Sequence, residues 1–392
     1  MIAEQAAARI ALLADTFHEV NGAARTCREW EAWSGRNQLP FLCVRWGEQP
    51  GVRQEGSVRT LELLRGPLAF RIDPDLRFDP LFHRVLASVQ AEVERFRPHF
   101  IHITSPGDLG IAGAVLAARL GIPLAASWHT NLHEFAARRI SRMLAPLGTQ
   151  ASEFAARKAE SFVLDRVCWF FGRGSVLFAP NQELTRMLRA RTGKPVFAMG
   201  RGIDIILFSP VRRRRQDDAL VLGYVGRLMP EKNLRILPQV AAALRRHGIR
   251  NFRFQITGAG SERRWLEENL PNAMFTGVLT GESLATAYAN SDVFLFPSRT
   301  DTFGNVVQEA LASGVPAVVM DAGGPRYIVR DGASGLVARD DEAFCEYTAL
   351  LALDAELRRS IGIEARRQVK GQSWDRVFAE VYDGYARVLQ SI

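Results

Sequence analysis

Asp292-Val-Phe-Leu-Phe296-Pro297-Ser-Arg-Thr-Asp301-Thr-Phe303-Gly304-Asn305-Val306-Val-Gln-Glu309-Ala-Leu-Ala-Ser-Gly314-Val-Pro316 is a short apolar run, a polar turn and a helical pattern in succession. The apolar run, bounded by Pro297, has the composition of a parallel strand buried on both faces. Past the turn, Val306, Val307, Ala310 and Leu311 recur at helical spacing, which predicts a helix packed on the sheet by that side. The loop between them also carries chemistry. Asp301 stays on it, Glu309 is expected to project from the helix flank one turn in, and the backbone N–H groups of Phe303, Gly304, Asn305 and Val306 lie between them. Those amides sit at the positive end of a helix dipole, and Gly304 lets a ligand approach the backbone closely. A nucleotide sugar suits this set, with one carboxylate for sugar hydroxyls, the other for a ribose and the amides for a phosphate. The competing reading has Asp301 or Thr302 capping the helix and Glu309 in solvent.

The same alternation runs through the rest of the chain. In the second half, Leu220–Val225, Phe252–Thr257, Ala273–Phe275, Ala317–Met320 and Gly335-Leu-Val337 are predicted strands with helices between them. In the first half, strands are predicted at Arg9–Ala14, Leu39–Val44, Phe100–Ile103 and Leu124–Trp128, extended by Phe178-Ala-Pro180 and Phe197-Ala-Met199, with helices near Ala23–Trp33, Leu81–Arg95 and Ile111–Leu120. Such alternation marks doubly wound parallel sheets. With 392 residues the chain exceeds the size at which one core usually keeps growing. The fold class read from this is α/β, with two Rossmann-like domains facing across a cleft. The first is assigned to residues 1–205, a linker with Pro210 and Arg212-Arg-Arg-Arg215 to 206–218, and the second domain to 219–372. A last helix within 373–392, apolar at Val377, Phe378, Val381, Tyr385 and Val388, is expected to pack back on the first domain.

Composition narrows the classes. Hydrophobic residues make up 47% and charged residues 23%, and no apolar run reaches the 18 or so residues of a membrane span. Met1 to Ala8 lacks the basic start of a signal peptide, and the four cysteines, Cys27, Cys43, Cys168 and Cys345, are scattered too widely for a disulfide framework or a zinc knuckle. A cytoplasmic setting is expected. Of the net charge of +8, most falls in residues 1–205, where 26 basic face 20 acidic side chains. There, Arg138, Arg139 and Arg142 share a helical pattern with Phe135, Ile140, Met143 and Leu144. This basic helix is read either as a contact with anionic lipid at the inner face of the plasma membrane or as a solvated face. No basic stripe interleaved with aromatics is recognised, so nucleic acid is not an expected partner.

Two further segments bear on chemistry. Gly223-Tyr-Val-Gly226-Arg227-Leu-Met-Pro-Glu231-Lys232-Asn233 follows a predicted strand and leads into a helix, so Arg227 and Lys232 stand at the top of a sheet. Two cations there suit a diphosphate and neutralise a leaving nucleoside diphosphate without a metal, or else they are surface residues of a loop. Asp15-Thr-Phe-His-Glu-Val-Asn21-Gly22 follows the first strand, where Gly22 allows backbone approach to phosphate or sugar. Ser127-Trp-His129-Thr-Asn131-Leu-His133 ends another predicted strand. His129 is read as a hydrogen-bond donor to a sugar hydroxyl, as a structural histidine, or with His133 as half of a metal pair. For the last, the end of a strand is a poor place for a helical i, i+4 pair, and no metal is expected.

Taken in order, Asp15-Thr-Phe…Asn21-Gly22, His129-Thr, Arg201-Gly202-Ile-Asp204…Phe208-Ser-Pro210, Gly226-Arg227…Glu231-Lys232-Asn233 and Asp301…Glu309 with Gly314-Val-Pro316 resemble glycosyltransferase family 4, retaining enzymes of the GT-B fold. The resemblance implies a nucleotide-sugar donor held mainly by the second domain and an acceptor held mainly by the first. Arg227 and Lys232 would hold the diphosphate, Glu309 the ribose, Asp301 the hydroxyls of the transferred sugar, and His129 would sit over that sugar. It further implies transfer of a mannose- or glucose-type hexose from GDP-mannose or a UDP-sugar, to a lipid, glycolipid or saccharide, with no cofactor and with the leaving phosphate assisting the acceptor. Asp301 departs from the family's usual glutamate and is shorter by one methylene. A sugar phosphorylase or nucleotide-sugar epimerase of the same fold, or a non-catalytic nucleotide-sugar-binding subunit, remains as the alternative.

Overall fold

Apolar strands buried on both faces need helices on both sides, and the chain supplies them twice. A computed structural model describes residues 8–19, 21–73, 76–144, 149–271 and 273–391. The chain divides into two units, Met1–Gly200 with Trp374–Ile392, and Arg201–Ser373.

The first unit is built on an eight-stranded sheet in the order Val196–Ala198, Val176–Ala179, Leu124–Ser127, Phe100–Ile103, Ile10–Ala14, Phe41–Trp46, Val58–Leu63, Gly51–Glu55. All neighbours are parallel except the last pair. Ile10–Ala14 is wholly buried and pairs on both sides, Ile10 standing opposite Phe41 and Phe100. The strand order reverses between Ile10–Ala14 and Phe100–Ile103, where the loops of such sheets hold ligands. Gly51–Glu55 was not recognised from sequence because every residue of this edge strand is exposed, so it carries no apolar alternation.

The helix Trp374–Leu389 completes this unit's core. Phe378 stacks between Trp30 and Trp374 with ring centroids 5.5 and 5.3 Å apart, and Tyr385 lies against Phe100 at 4.9 Å. Each fully buried aromatic of this kind contributes about 2 kcal/mol by area removed from water.

The second unit is a six-stranded parallel sheet in the order Met274–Gly277, Phe252–Thr257, Leu220–Val225, Val293–Phe296, Ala317–Met320, Gly335–Ala338. Its order reverses between Leu220–Val225 and Val293–Phe296. Tyr224 and Phe296 stack across that junction at 6.5 Å, and Phe296 stacks on Phe294 at 6.3 Å.

Two expectations are corrected. Arg201 to Asp204 belong to the second unit, so the boundary falls after Gly200 and not at 205. Residues 206–218 are no free linker either. Phe208 is buried with its ring edge-on to Tyr288, and the Arg366 guanidinium donates to the carbonyls of Ile205, Phe208 and Ala312. In the arginine run, Arg213 and Arg215 both bind the Asp292 carboxylate, at 2.7 and 2.6 Å. The run pins the segment to the start of the Val293–Phe296 strand.

Candidate functional site

The reversal of strand order in the second unit brings together the loops after Leu220–Val225 and Val293–Phe296, and with them three of the residues singled out from sequence. Lys232 Nζ donates to both oxygens of Asp301, at 2.7 and 2.9 Å, and the Ser298 hydroxyl donates to Asp301 Oδ2 at 2.5 Å. Burial alone would raise the Asp301 carboxyl, but the Lys232 ammonium, these hydrogen bonds and Arg227 hold it below the ordinary carboxylate range. Arg227 lies in the same loop, its guanidinium 3.6 Å from Glu231 and its carbonyl accepting from the Tyr224 hydroxyl at 3.0 Å. The loop after the neighbouring strand Phe252–Thr257 packs against this one backbone to backbone. A Cβ on Gly258 would lie 1.9 Å from the Gly226 carbonyl oxygen, and Gly258 also sits at φ +137°. Only glycine satisfies both constraints.

Gly304 occupies the N-cap of the helix Asn305–Ala312 at φ +106° and has no side chain with which to cap it. The Asp301 carboxylate is engaged by Lys232 and Ser298, and the first amides of the helix stand where an anion can meet them. Asn305 Oδ1 is buried there without a hydrogen-bond donor among the described residues. Glu309 is not solvated: it is 4% exposed, and the Tyr288 hydroxyl donates to its Oε2 at 2.8 Å. Beneath the loop, the Arg201 guanidinium faces the Phe303 ring at 5.7 Å, and Gln308 Nε2 donates to the Arg201 carbonyl at 3.0 Å.

Sequence reasoning passed over the pair that shapes this loop. The Gly324 amide donates to the Asp301 carbonyl at 2.6 Å. A Cβ on Gly324 would lie 2.3 Å from Thr302 O and 2.4 Å from Phe303 Cα, and one on Gly323 would lie 2.6 Å from Asp301 O. Asp321-Ala-Gly323-Gly324-Pro325, directly after the Ala317–Met320 strand, was the available signal: two adjacent glycines at the C-terminal end of a buried strand. Ser298 and Tyr288 carried no comparable mark.

Gly22 and His129 belong to the first unit. Gly22 opens the helix Gly22–Arg36, whose cap is Asn21, with Oδ1 accepting from the Ala24 amide at 2.8 Å. Asp15 is turned inward: it accepts from the Leu109 amide at 2.8 Å and from Ser105 Oγ at 2.5 Å, capping the helix Asp108–Leu120 from the end of the first strand. Burial, with the Asp108 carboxylate beside it, pushes the Asp15 carboxyl up to about 8. His129 is 8% exposed, just past Leu124–Ser127, and its Nε2 lies 2.6 Å from Ser127 Oγ. His133 stands in the next helix, edge-on to Trp128 at 5.9 Å. Among the described residues no group of three metal-ligating side chains occurs.

The basic helix Leu132–Leu144 forms, but the side chains of Phe135, Arg138, Arg142, Met143 and Leu144 lie outside the described residues. A basic and aromatic stripe does exist, contrary to expectation, on the following helix, Thr149–Phe171. Phe154, Phe162 and Trp169 are 60%, 61% and 58% exposed on one face. Each has a cation over its ring: Lys158 at 5.7 Å, Arg166 at 5.1 Å and Arg173 at 4.2 Å. The stripe is inconspicuous in sequence because its residues recur every three or four positions, not as a run. No helix among the described residues is long and apolar enough to cross a membrane.

A family described as "Glycosyltransferase Family 4" matches residues 20–207, and one described as "Glycosyl transferases group 1" matches residues 219–354. The chain is 34% identical over 389 residues to a GDP-mannose-dependent alpha-mannosyltransferase of Mycobacterium tuberculosis, covering 97% of each. It is 35% identical over 309 residues to a protein of the same name from Mycolicibacterium smegmatis, covering 75% of each. Among solved structures, sucrose-phosphate synthase from Thermosynechococcus elongatus is similar in fold, with a TM-score of 0.75 at 19% identity over 98% of this chain and 100% of that one.

Proposed function

Since the chain belongs to glycosyltransferase family 4, has the GT-B fold and is a hexosyltransferase using a nucleoside-diphosphate sugar, we propose that its donor is GDP-mannose, that it transfers mannose with retention, and that its acceptor is a lipid or glycolipid. The printed activity of the mannosyltransferase relatives supports the donor. The observation that carries the chemistry is the Lys232–Asp301 pair at the reversal of strand order, beside the helix Asn305–Ala312 with glycine at its N-cap. Lys232 and Arg227 bind the diphosphate and neutralise the charge that grows on it as the glycosidic bond breaks. When the diphosphate draws Lys232 to itself, the Asp301 carboxylate is released to the sugar hydroxyls. Glu309, already oriented by Tyr288, takes the ribose, and His129 donates a hydrogen bond to the transferred sugar. The leaving phosphate receives the acceptor proton, so no protein nucleophile is required.

The test is acceptor-dependent release of nucleoside diphosphate measured with GDP-mannose, UDP-glucose, UDP-galactose and UDP-N-acetylglucosamine. Turnover with GDP-mannose is expected to exceed the others at least roughly tenfold, the discrimination that a few lost base and hydroxyl contacts produce. A UDP-sugar turned over faster would sink the donor assignment.

A lipid acceptor calls for the enzyme to reach a bilayer, and the stripe on Thr149–Phe171 supports that contact. Phenylalanine and tryptophan seat at the headgroup level, and each nearby cation adds about 1 kcal/mol on an anionic surface. Changing Phe162 and Trp169 together to serine is expected to lower sedimentation with phosphatidylglycerol vesicles at least roughly fivefold, while affinity for GDP stays at the wild-type value. Undiminished sedimentation would assign the stripe no role at a membrane.

A further inference from the structure

A file of polar side chains runs through the apolar core of the first unit and ends at His129. Tyr385, on the helix Trp374–Leu389, has its hydroxyl 2.5 Å from His102 Nδ1. His102 Nε2 lies 2.8 Å from Ser127 Oγ, and Ser127 Oγ lies 2.6 Å from His129 Nε2. Tyr385 and His102 are wholly buried and Ser127 is 1% exposed. Trp30 stands edge-on to the His102 ring at 4.8 Å and Phe178 covers it at 5.7 Å, which fixes the ring's orientation. Burial keeps His102 neutral, its imidazole driven down to about 3, and keeps the Tyr385 phenol protonated.

The hydrogens along this file can point in one of two directions. In the first, the Tyr385 hydroxyl donates to His102 Nδ1, His102 Nε2–H donates to Ser127 Oγ, and the Ser127 hydroxyl donates to His129 Nε2. His129 then carries its hydrogen on Nδ1. In the second direction every donor and acceptor is exchanged, and the Tyr385 hydrogen must turn away from His102. Among the described residues no other acceptor meets the Tyr385 oxygen. A buried hydroxyl hydrogen without an acceptor carries a desolvation penalty that the first direction avoids. The Tyr385 end of the file therefore favours the first direction, in which His129 Nε2 is an acceptor.

We infer that Tyr385, His102 and Ser127 are positioning residues that hold His129 as the Nδ1–H tautomer, with Nε2 committed as an acceptor and Nδ1 carrying the hydrogen. The use of that donor toward a sugar oxygen rests on the reaction proposed above, whereas the tautomer does not. A histidine so held acts by donating a hydrogen bond and not as a base through Nε2. Because His102 and Tyr385 are 283 residues apart in sequence, no local motif announces the arrangement.

The test separates the tautomer from the activity. The chain has seven histidines, so 15N-histidine labelling with two-bond proton–nitrogen correlation resolves them, and His129→Gln identifies the signal of interest. In the wild type, His129 is expected to show a protonated Nδ1 and an unprotonated Nε2. Tyr385→Phe removes the hydroxyl that sets the direction, so the His129 nitrogens should move toward a mixture of tautomers. Ser127→Ala cuts the last link and should do the same in a smaller, easily accommodated change. Both variants should lose roughly tenfold in turnover with the KM for the donor within about twofold, as expected when a group acting in the transition state is misoriented. A wild-type His129 protonated on Nε2, or unaltered His129 signals in both variants, would overturn the proposal. Shifted signals with unchanged turnover would confirm the file and remove His129 from the reaction.

Discussion

Lys232→Ala is expected to lower turnover by roughly a hundredfold to a thousandfold, the range for removing one preorganised charge facing a developing anion. Two losses add. The leaving diphosphate loses a cation, and Asp301 loses the ammonium that meets both of its oxygens at 2.7 and 2.9 Å. The second loss is legible in the response to acid. Since Asp301 is held below its usual value of 3.8, the wild-type pair contributes stability that is fully present above that value and disappears as pH falls through the lower folded one. The variant lacks that contribution at neutral pH and so should lose less stability between pH 6 and pH 3 than the wild type. Calorimetry with GDP and thermal unfolding at both pH values check the two halves. Wild-type GDP affinity in the variant would remove Lys232 from the site.

Gly324→Ala should be the second most damaging single change, and for a steric reason alone. Gly324 has an ordinary φ of −68°, so alanine meets no backbone strain there. Its methyl would instead lie 2.3 Å from Thr302 O and 2.4 Å from Phe303 Cα, and no rotamer relieves a clash between a Cβ and a backbone. The loops must part, breaking the 2.6 Å bond from the Gly324 amide to the Asp301 carbonyl. Overpacking of this kind costs about 1–3 kcal/mol. The larger effect should fall on nucleotide affinity, expected to weaken more than roughly tenfold because a displacement of about 1 Å misplaces Asp301 and the helix amides together. Gly332→Ala is the control: that glycine has φ +71° but nothing within 4 Å of its Cβ position, so stability should fall while GDP affinity holds. Equal GDP affinity in the two variants would show that the contact between loops does not shape the site.

The sheets were largely readable in advance because parallel strands buried on both faces are continuous apolar runs. Phe100–Ile103, Leu220–Val225, Phe252–Thr257, Val293–Phe296 and Ala317–Met320 stand at the bounds read from sequence. Val58–Leu63 was also missed, since Arg59, Thr60 and Glu62 interrupt its apolar run, and the other failures were features whose cause lies elsewhere in the chain. Gly51–Glu55 is held by pairing with Val58–Leu63 and not by any apolar face of its own. Arg213 and Arg215 look like a solvated charge run until Asp292 is brought to them. Asp301, Lys232 and Arg227 could be singled out because their types and spacing suit a diphosphate and sugar hydroxyls. Their mutual attachment could not, since two residues read as serving different parts of a donor turn out to hold each other. Tyr288, Ser298 and the Gly323-Gly324 pair act through geometry that only the folded chain displays.

The return of the last helix to the first unit has a consequence for biosynthesis. Phe378, Val381 and Tyr385 fill the core made by residues 1–200, yet they leave the ribosome only after the whole of Arg201–Ser373 has been translated. At typical elongation rates that interval is roughly 9 to 35 seconds. During it, Trp30, Trp33 and Phe100 present an uncovered aromatic face to the cell, whereas the second unit has all its strands in hand and can close first. The half of the chain that is made first is thus the half that finishes folding last, and chaperone dependence should be concentrated there.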